Sequence, residues 1–368
     1  MNETVETTSK SLRILFALAG LHRVNRGAET AFESVAAELA KMGQDVTLIG
    51  SGEVIADRPY RFIHADCVPR EWFVGWPSLP YFRTHYAYEE YTFARAMKRI
   101  FLPEDYDVTV TCGYPHLNRL LRNRGKTKHV FVTQNGDHML SARQFDYRGF
   151  ACDGLICTNP EILVRHQNRW PSVVIPNGVD LKKFHPGAAD RGALGLPAGP
   201  IALMVSALIP SKRVLEGIAA ASKLPELTLV IAGDGELRKQ VKDMGESLMP
   251  YRFFMLNLPR EKMPDLYRYA EVFLHMSIDE PSANAYTETL ASGLPIVTHD
   301  RPVTRWTLEK TSVLVDTTDE AEVADALRKA LDRRTEADIA ARRELAERRF
   351  GWPMIAKQYL DFFRQVKA

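Results

Sequence analysis

The stretch RILFALAGLHRVNRGAETAFESVAAELAKMGQDVTLI, residues 13–49, decides the fold, because a strand, a helix and a second strand follow one another in it. Residues 13–19 are a short apolar run headed by Arg13, the pattern of a buried strand. Phe32, Val35, Ala36, Leu39 and Met42 then recur at helical spacing and line one face. Residues 45–49 return to a β-forming run and complete a βαβ unit, whose long crossover implies parallel strands. Residues 12–21 could pass for the apolar part of a secretory leader, but Arg13 interrupts them and no small-residue cleavage site follows.

The same alternation continues outward and occurs twice. Further strands are expected at 107–111, 129–133 and 154–157, which fill out one doubly wound sheet. A second series is expected at 201–206, 227–232, 253–256, 272–276, 296–298 and 313–315. Between the two lies IPNGVDLKKFHP (175–186) and a turn-forming stretch up to Pro200, where we place the hinge. The expected domains are 1–178, joined by a closing helix at 352–368, and 179–351. Ligands of open parallel sheets bind beyond the carboxyl ends of the strands, so function is sought in the loops that follow them.

Composition narrows the function classes. A chain of 368 residues, 45% apolar and 26% charged, has the make-up of a globular protein of two domains. Its 48 basic and 46 acidic residues leave a net charge of +2, which gives no general drive toward nucleic acid. No run of apolar residues is long enough to span a membrane, although peripheral association stays open. Cys67, Cys112, Cys152 and Cys157 show neither metal-ligand nor disulfide spacing and read as core residues, from which a cytoplasmic location is expected.

The chemistry concentrates in SIDEPSANAYTETLASGLPIV (277–297). Glu280 falls on the loop after a strand and Glu288 on the following helix, which stops at Gly293 and Pro295. One carboxylate can accept from sugar hydroxyls and the other from ribose hydroxyls. SALIPSKR (206–213) follows the first strand of the second series and ends in two adjacent cations, Lys212 and Arg213. NRGAET (25–30) sits where the first strand turns into the first helix, a place where backbone N–H groups bind anions. Asp105 and Asp107 form an Asp-x-Asp but lie at a strand's amino end, away from the expected site.

The Glu-x(7)-Glu spacing before an A-x-G-x-P turn resembles the donor-binding motif of retaining glycosyltransferase family 4. IPNGVD (175–180), IAGDGEL (231–237), MPDLYRYAEVFLHMS (263–277), VLVD (313–316) and FGWPMIAKQYLDF (350–362) resemble further landmarks in order. The resemblance implies a GT-B fold, two Rossmann-like α/β domains whose parallel sheets face across a cleft. It implies transfer of a hexose-like sugar from a nucleotide-diphosphate sugar to a hydroxyl of a small-molecule, glycan or lipid acceptor, with retention and without a metal or other cofactor. Lys212 and Glu280 are then the catalytic candidates, and Ser206, Gly27, Arg213 and Glu288 the donor-binding ones.

Four places depart from the family pattern: Ala207 stands where an Arg is usual, Arg26 where a first Gly is usual, Gln134 where many members carry His, and Ser282, Ala283 and Asn284 replace the Gly-rich part of the donor loop. Arg213, and more weakly Arg26, are expected to supply the missing charge. Arg26, His116, Gln134, Asn135 and Trp76 are candidates for substrate contact, with His138 close by in sequence. Trp76 belongs to the aromatic loop 72–80, the expected acceptor surface. Two rival readings are a sugar-nucleotide-binding subunit impaired in catalysis and a nicotinamide-dependent dehydrogenase; the second lacks its fingerprint, because GDG at 233–235 has no third glycine.

Overall fold

The computed structural model describes residues 11–134, 149–188, 195–280 and 284–368. Two compact units divide the chain, Met1–Pro176 with Trp352–Ala368 and Asn177–Gly351.

The first unit is a parallel sheet of β1 (Arg13–Ala17), β2 (Asp45–Gly50), β3 (Arg61–His64), β4 (Val108–Thr111), β5 (Lys128–Val132), β6 (Gly154–Cys157) and β7 (Ser172–Val174). Their spatial order is β3-β2-β1-β4-β5-β6-β7. The chain runs from β1 to one edge, then returns to β4 beside β1, which makes the β1/β4 crevice its switch point. α1 (Gly27–Lys41) covers β1, with Phe32 edge-on to Phe16 at 5.3 Å between centroids. The last helix, α12 (Trp352–Lys367), follows the second unit in sequence but buries Ile355, Tyr359, Phe362 and Phe363 in the core of the first.

The second unit repeats the plan with β8 (Ile201–Val205), β9 (Thr228–Ala232), β10 (Phe253–Leu256), β11 (Val272–His275), β12 (Ile296–His299) and β13 (Val313–Val315). Their order is β10-β9-β8-β11-β12-β13, every pair parallel. β9 is buried along its whole length, as a strand covered by helices on both faces must be. The switch point lies between β8 and β11, so the loops following those two strands emerge side by side.

Two strands were not expected from sequence. β3 reads RFIH, with exposed Arg61 and His64 at its ends, and β7 is three half-buried residues at the other edge. Edge strands bury too little to show an apolar run. The GDG turn has a packing role: a Cβ on Gly233 would stand 1.8 Å from the Ser206 carbonyl oxygen, and one on Gly235 2.5 Å from that of Leu208. These glycines let the loops after β8 and β9 lie backbone to backbone.

Asp107 lies at the amino end of β4, where it accepts from the Arg13 N–H at 2.9 Å and from Lys367 at 3.0 Å. Partial burial opposes its charge, but the Arg13 N–H and the Lys367 and Arg13 side chains outweigh it and hold the carboxyl down at about 2. Cys112 and Cys157 are buried, Cys67 and Cys152 half-buried, and all four are free thiols. Among the described residues, no helix is long and apolar enough to cross a membrane.

Candidate active site

At the switch point of the second unit, the loop after β8 is tied down residue by residue. The Ser211 carbonyl accepts from Ser277 Oγ at 3.2 Å, Lys212 Nζ donates to Glu280 Oε2, and Arg213 Nη2 donates to the Thr317 carbonyl at 3.3 Å. Loops following β8, β11 and β13 thus converge through one tripeptide. Arg213 caps α5 (Val214–Ser222) in a left-handed conformation, φ 52° and ψ 40°, a backbone cost of order 1–3 kcal/mol for a non-glycine residue. Its Nη2 also lies 3.6 Å from Glu216, while its buried Nε has no hydrogen-bond partner among the described residues.

Glu280 is buried, 8% exposed, and the Lys212 side chain keeps about a quarter of its surface in solvent. Behind Glu280 stands His275, the last residue of β11, with Nε2 3.8 Å from Oε2. Burial, against the pull of Glu280 and with the help of Lys212, pushes the imidazole down to about 4, so it is neutral near pH 7. Its Nδ1 is 2.9 Å from Tyr286 Oη, which lies 2.8 Å from Thr298 Oγ1.

Glu288 projects from α8 (Asn284–Ala291) and accepts from the buried Tyr267 hydroxyl at 2.8 Å. Burial raises its carboxyl to about 6, against the Tyr267 hydrogen bond and Arg260. The IPNGVD loop reaches the start of the same helix, where Asn177 Nδ2 donates to Asn284 Oδ1 at 2.8 Å. Ser206 turns its hydroxyl to the Ala207 carbonyl at 3.1 Å, and its N–H donates to the Ala232 carbonyl. Lys212, Arg213 and Glu280 therefore lie on the loops that follow β8 and β11, and Glu288 lies within the helix that comes next.

The candidates of the first unit are occupied differently. Gly27 opens α1 and is exposed, and Arg26 before it lies 3.9 Å from Glu29 and 3.7 Å from Glu71. His116 sits at the start of α3 (His116–Leu121), its Nε2 3.1 Å from the Tyr81 carbonyl and its ring against Phe82 and Tyr91. Burial lowers it to about 4. Gln134 follows β5 and its side chain hydrogen-bonds the Tyr359 hydroxyl. Trp76 is 56% exposed and packs edge-on against Phe73 and Tyr88 at 5.0 and 5.2 Å. Asn135, His138, Ser282 and Ala283 lie outside the described residues.

Sequence reasoning passed over His275, Tyr286, Thr298, Tyr267 and Arg301. The last donates to the Ile278 carbonyl at 3.1 Å and to Asp279 at 2.6 Å, bracing the loop that carries Glu280. A signal existed for His275: a histidine ending a fully buried strand needs polar partners.

Sequence models of two families match the chain one after the other. "Glycosyltransferase Family 4" covers residues 25–183 and "Glycosyl transferases group 1" covers residues 189–348. The chain belongs to glycosyltransferase family 4. A GDP-mannose-dependent alpha-mannosyltransferase of Mycobacterium tuberculosis is 30% identical over 54% of this chain and 51% of its own length. The chain thus spans about half the length of that curated relative. Sucrose-phosphate synthase from Thermosynechococcus elongatus shares the fold at TM-score 0.75 and 21% identity, over 96% of this chain and 98% of that one. The Anabaena protein HepE in complex with UDP-glucose does so at 0.74 and 16%, over 96% and 100%. These neighbours establish the GT-B fold, two Rossmann-like parallel-sheet units.

Proposed function

We propose that this family 4 chain transfers a hexose-like sugar from a nucleotide-diphosphate sugar to an acceptor hydroxyl, with retention of configuration. The observation that carries the reading is the Lys212–Glu280 pair at the switch point, with Arg213 beside it in sequence and Glu288 on the next helix. A cation and a carboxylate so placed suit the two ends of a sugar diphosphate. The relatives support it, since one is GDP-mannose-dependent and one structural neighbour holds UDP-glucose.

On this reading the diphosphate draws Lys212 away from Glu280, which then accepts from sugar hydroxyls. Glu288, oriented by Tyr267, accepts from the ribose. The acceptor oxygen attacks the anomeric carbon from the face the diphosphate leaves, the bond to phosphate breaks, and a departing phosphate oxygen takes the hydroxyl proton. Lys212 and Arg213 stabilise the charge that grows on the diphosphate, as preorganised cations do without a metal. Gly27 offers an N–H, and the loop carrying Trp76 meets the acceptor.

A panel of nucleotide sugars, assayed for released nucleoside diphosphate, tests the reading. Turnover of one donor is expected, unchanged by EDTA. No release from any donor that binds would favour the impaired-subunit reading, and loss of turnover in EDTA restored by magnesium or manganese would overturn the metal-free mechanism.

A further inference from the structure

The proposed reaction leaves a structural problem at Glu280. Lys212 neutralises this buried carboxylate. Once a diphosphate takes Lys212, an isolated buried charge would remain, and such a charge reorients or protonates unless another donor reaches it. The residues behind it form a chain: Thr298 Oγ1, Tyr286 Oη, and His275, whose Nε2 is the ring atom on the Glu280 side. His275 and Thr298 are register partners on adjacent parallel strands, so their side chains leave the same face of the sheet. Tyr286 comes down from α8, two residues before Glu288, and its hydroxyl closes on both.

We propose that His275, held by Tyr286 and Thr298, is a positioning residue that keeps the Glu280 carboxylate aimed at the donor sugar after Lys212 has moved to the diphosphate. The role requires the arrangement in which Thr298 donates to Tyr286 Oη, Tyr286 donates to Nδ1, and the single proton of the neutral ring lies on Nε2, toward Glu280. A shift well under an ångström closes the 3.8 Å separation toward hydrogen-bond distance. All three residues are buried, so they touch no substrate and act only through Glu280. The inference rests on the transferase reading and assigns to it the support of its sugar-binding carboxylate.

The test compares His275→Phe, His275→Gln and Tyr286→Phe, each first shown to be folded by circular dichroism and melting. His275→Phe should lower kcat for the accepted nucleotide sugar about tenfold, while the nucleoside diphosphate Kd stays within about twofold of wild type. His275→Gln restores an N–H donor and should recover most of the loss. Tyr286→Phe removes one oxygen and should show a smaller loss with the same split, and it replaces His275→Phe if that chain does not fold. Unchanged kcat, parallel loss of nucleoside diphosphate affinity, or no rescue by glutamine would overturn the proposal. Failure of the transferase reading shows separately, as a wild type that turns over no donor. The contact itself is checked without turnover: Glu280→Gln should move the Nε2 resonance of His275 in nitrogen NMR of the labelled protein, and an unmoved resonance would overturn it.

Discussion

The carboxyl edges of the two sheets share one topology and spend their buried carboxylates differently. In the first unit Glu90 accepts from the N–H groups of His116 and Leu117 at 2.6 and 2.9 Å, and Glu29 packs where a Cβ on Gly20 would meet its oxygen at 2.0 Å. Burial raises both, Glu90 to about 7. Glu90 holds backbone, Glu29 lies 3.9 Å from Arg26, and the buried Glu89 accepts from both the Arg70 N–H and the Arg23 side chain. In the second unit the two acids of the candidate site, Glu280 and Glu288, face Lys212 and Tyr267, and a side-chain partner can move away as a backbone cannot. The cations differ in the same sense: Arg26 lies between two carboxylates, whereas Lys212 has one, and that one is a candidate ligand contact itself. Arg26 is thus balanced by acids of its own unit, whereas the Lys212 pair is itself the candidate site, and on the proposed reading the donor binds there.

The largest effect that could break this contrast is on the cations. Lys212→Ala should lower kcat by roughly 100- to 1,000-fold, the usual result of removing one preorganised contact to developing charge, and Arg213→Ala should approach that loss. Arg26→Ala should stay within about threefold, because its charge is already balanced. Comparable losses for Lys212 and Arg26 would erase the distinction between the edges.

The two carboxylates of the second unit should then separate. Glu288→Ala should weaken nucleoside diphosphate binding by about tenfold, and Glu280→Ala should leave it intact while impairing turnover of the sugar donor. Calorimetry on both variants decides, and equal loss of affinity would refute the division.

A pH series sharpens the comparison further. Glu288 titrates near 6, above the ordinary 4.5, so it protonates as pH falls through about 6 and loses its capacity to accept from two ribose hydroxyls. Nucleoside diphosphate affinity should therefore fall below pH 6, and Glu288→Gln should flatten that fall. Stability runs the other way: a raised carboxyl favours the native state most below 4.5, and this contribution is lost as pH rises through 6. Glu90→Gln in the first unit should leave the affinity profile unchanged, although Glu90 titrates near 7.

The smallest expected effect concerns the aromatic loop. Trp76→Ala should raise the acceptor KM by about threefold with donor hydrolysis unchanged, because the ring is exposed yet braced by Phe73 and Tyr88. An unchanged acceptor KM in a folded variant would leave Trp76 as packing alone.

Legibility in the sequence followed burial. The central strands of both sheets read directly from runs such as ILF in β1 and TLVIA in β9, because a strand covered on both faces is apolar throughout. β3 and β7 escaped because edge strands carry no such demand. Lys212, Glu280 and Glu288 stood out as charges at fixed spacing on loops and helix starts. What no spacing could give was their partners. Tyr286 and Thr298 look like ordinary helix and strand residues, and their meeting with His275 depends on the register between β11 and β12 and on how α8 packs over it. Arg342 is similar: fully buried, it donates to the carbonyls of Gly293, Thr311 and Arg333 and so secures the turn after α8, a task invisible in a charged helical sequence.

On the proposed reading, the bond between Lys212 and Glu280 makes recognition conjunctive. A bare anion offered to Lys212 leaves Glu280 with His275 and no sugar hydroxyls, and a free sugar offered to Glu280 must compete with an ammonium already in place. Either fragment alone breaks a charge pair and repairs only half of it. A ligand that carries phosphate and hydroxyls on one covalent frame satisfies both ends in a single event. On the proposed reading, inorganic phosphate and free hexose, both abundant around any enzyme of sugar metabolism, are thereby turned away without a dedicated barrier against either.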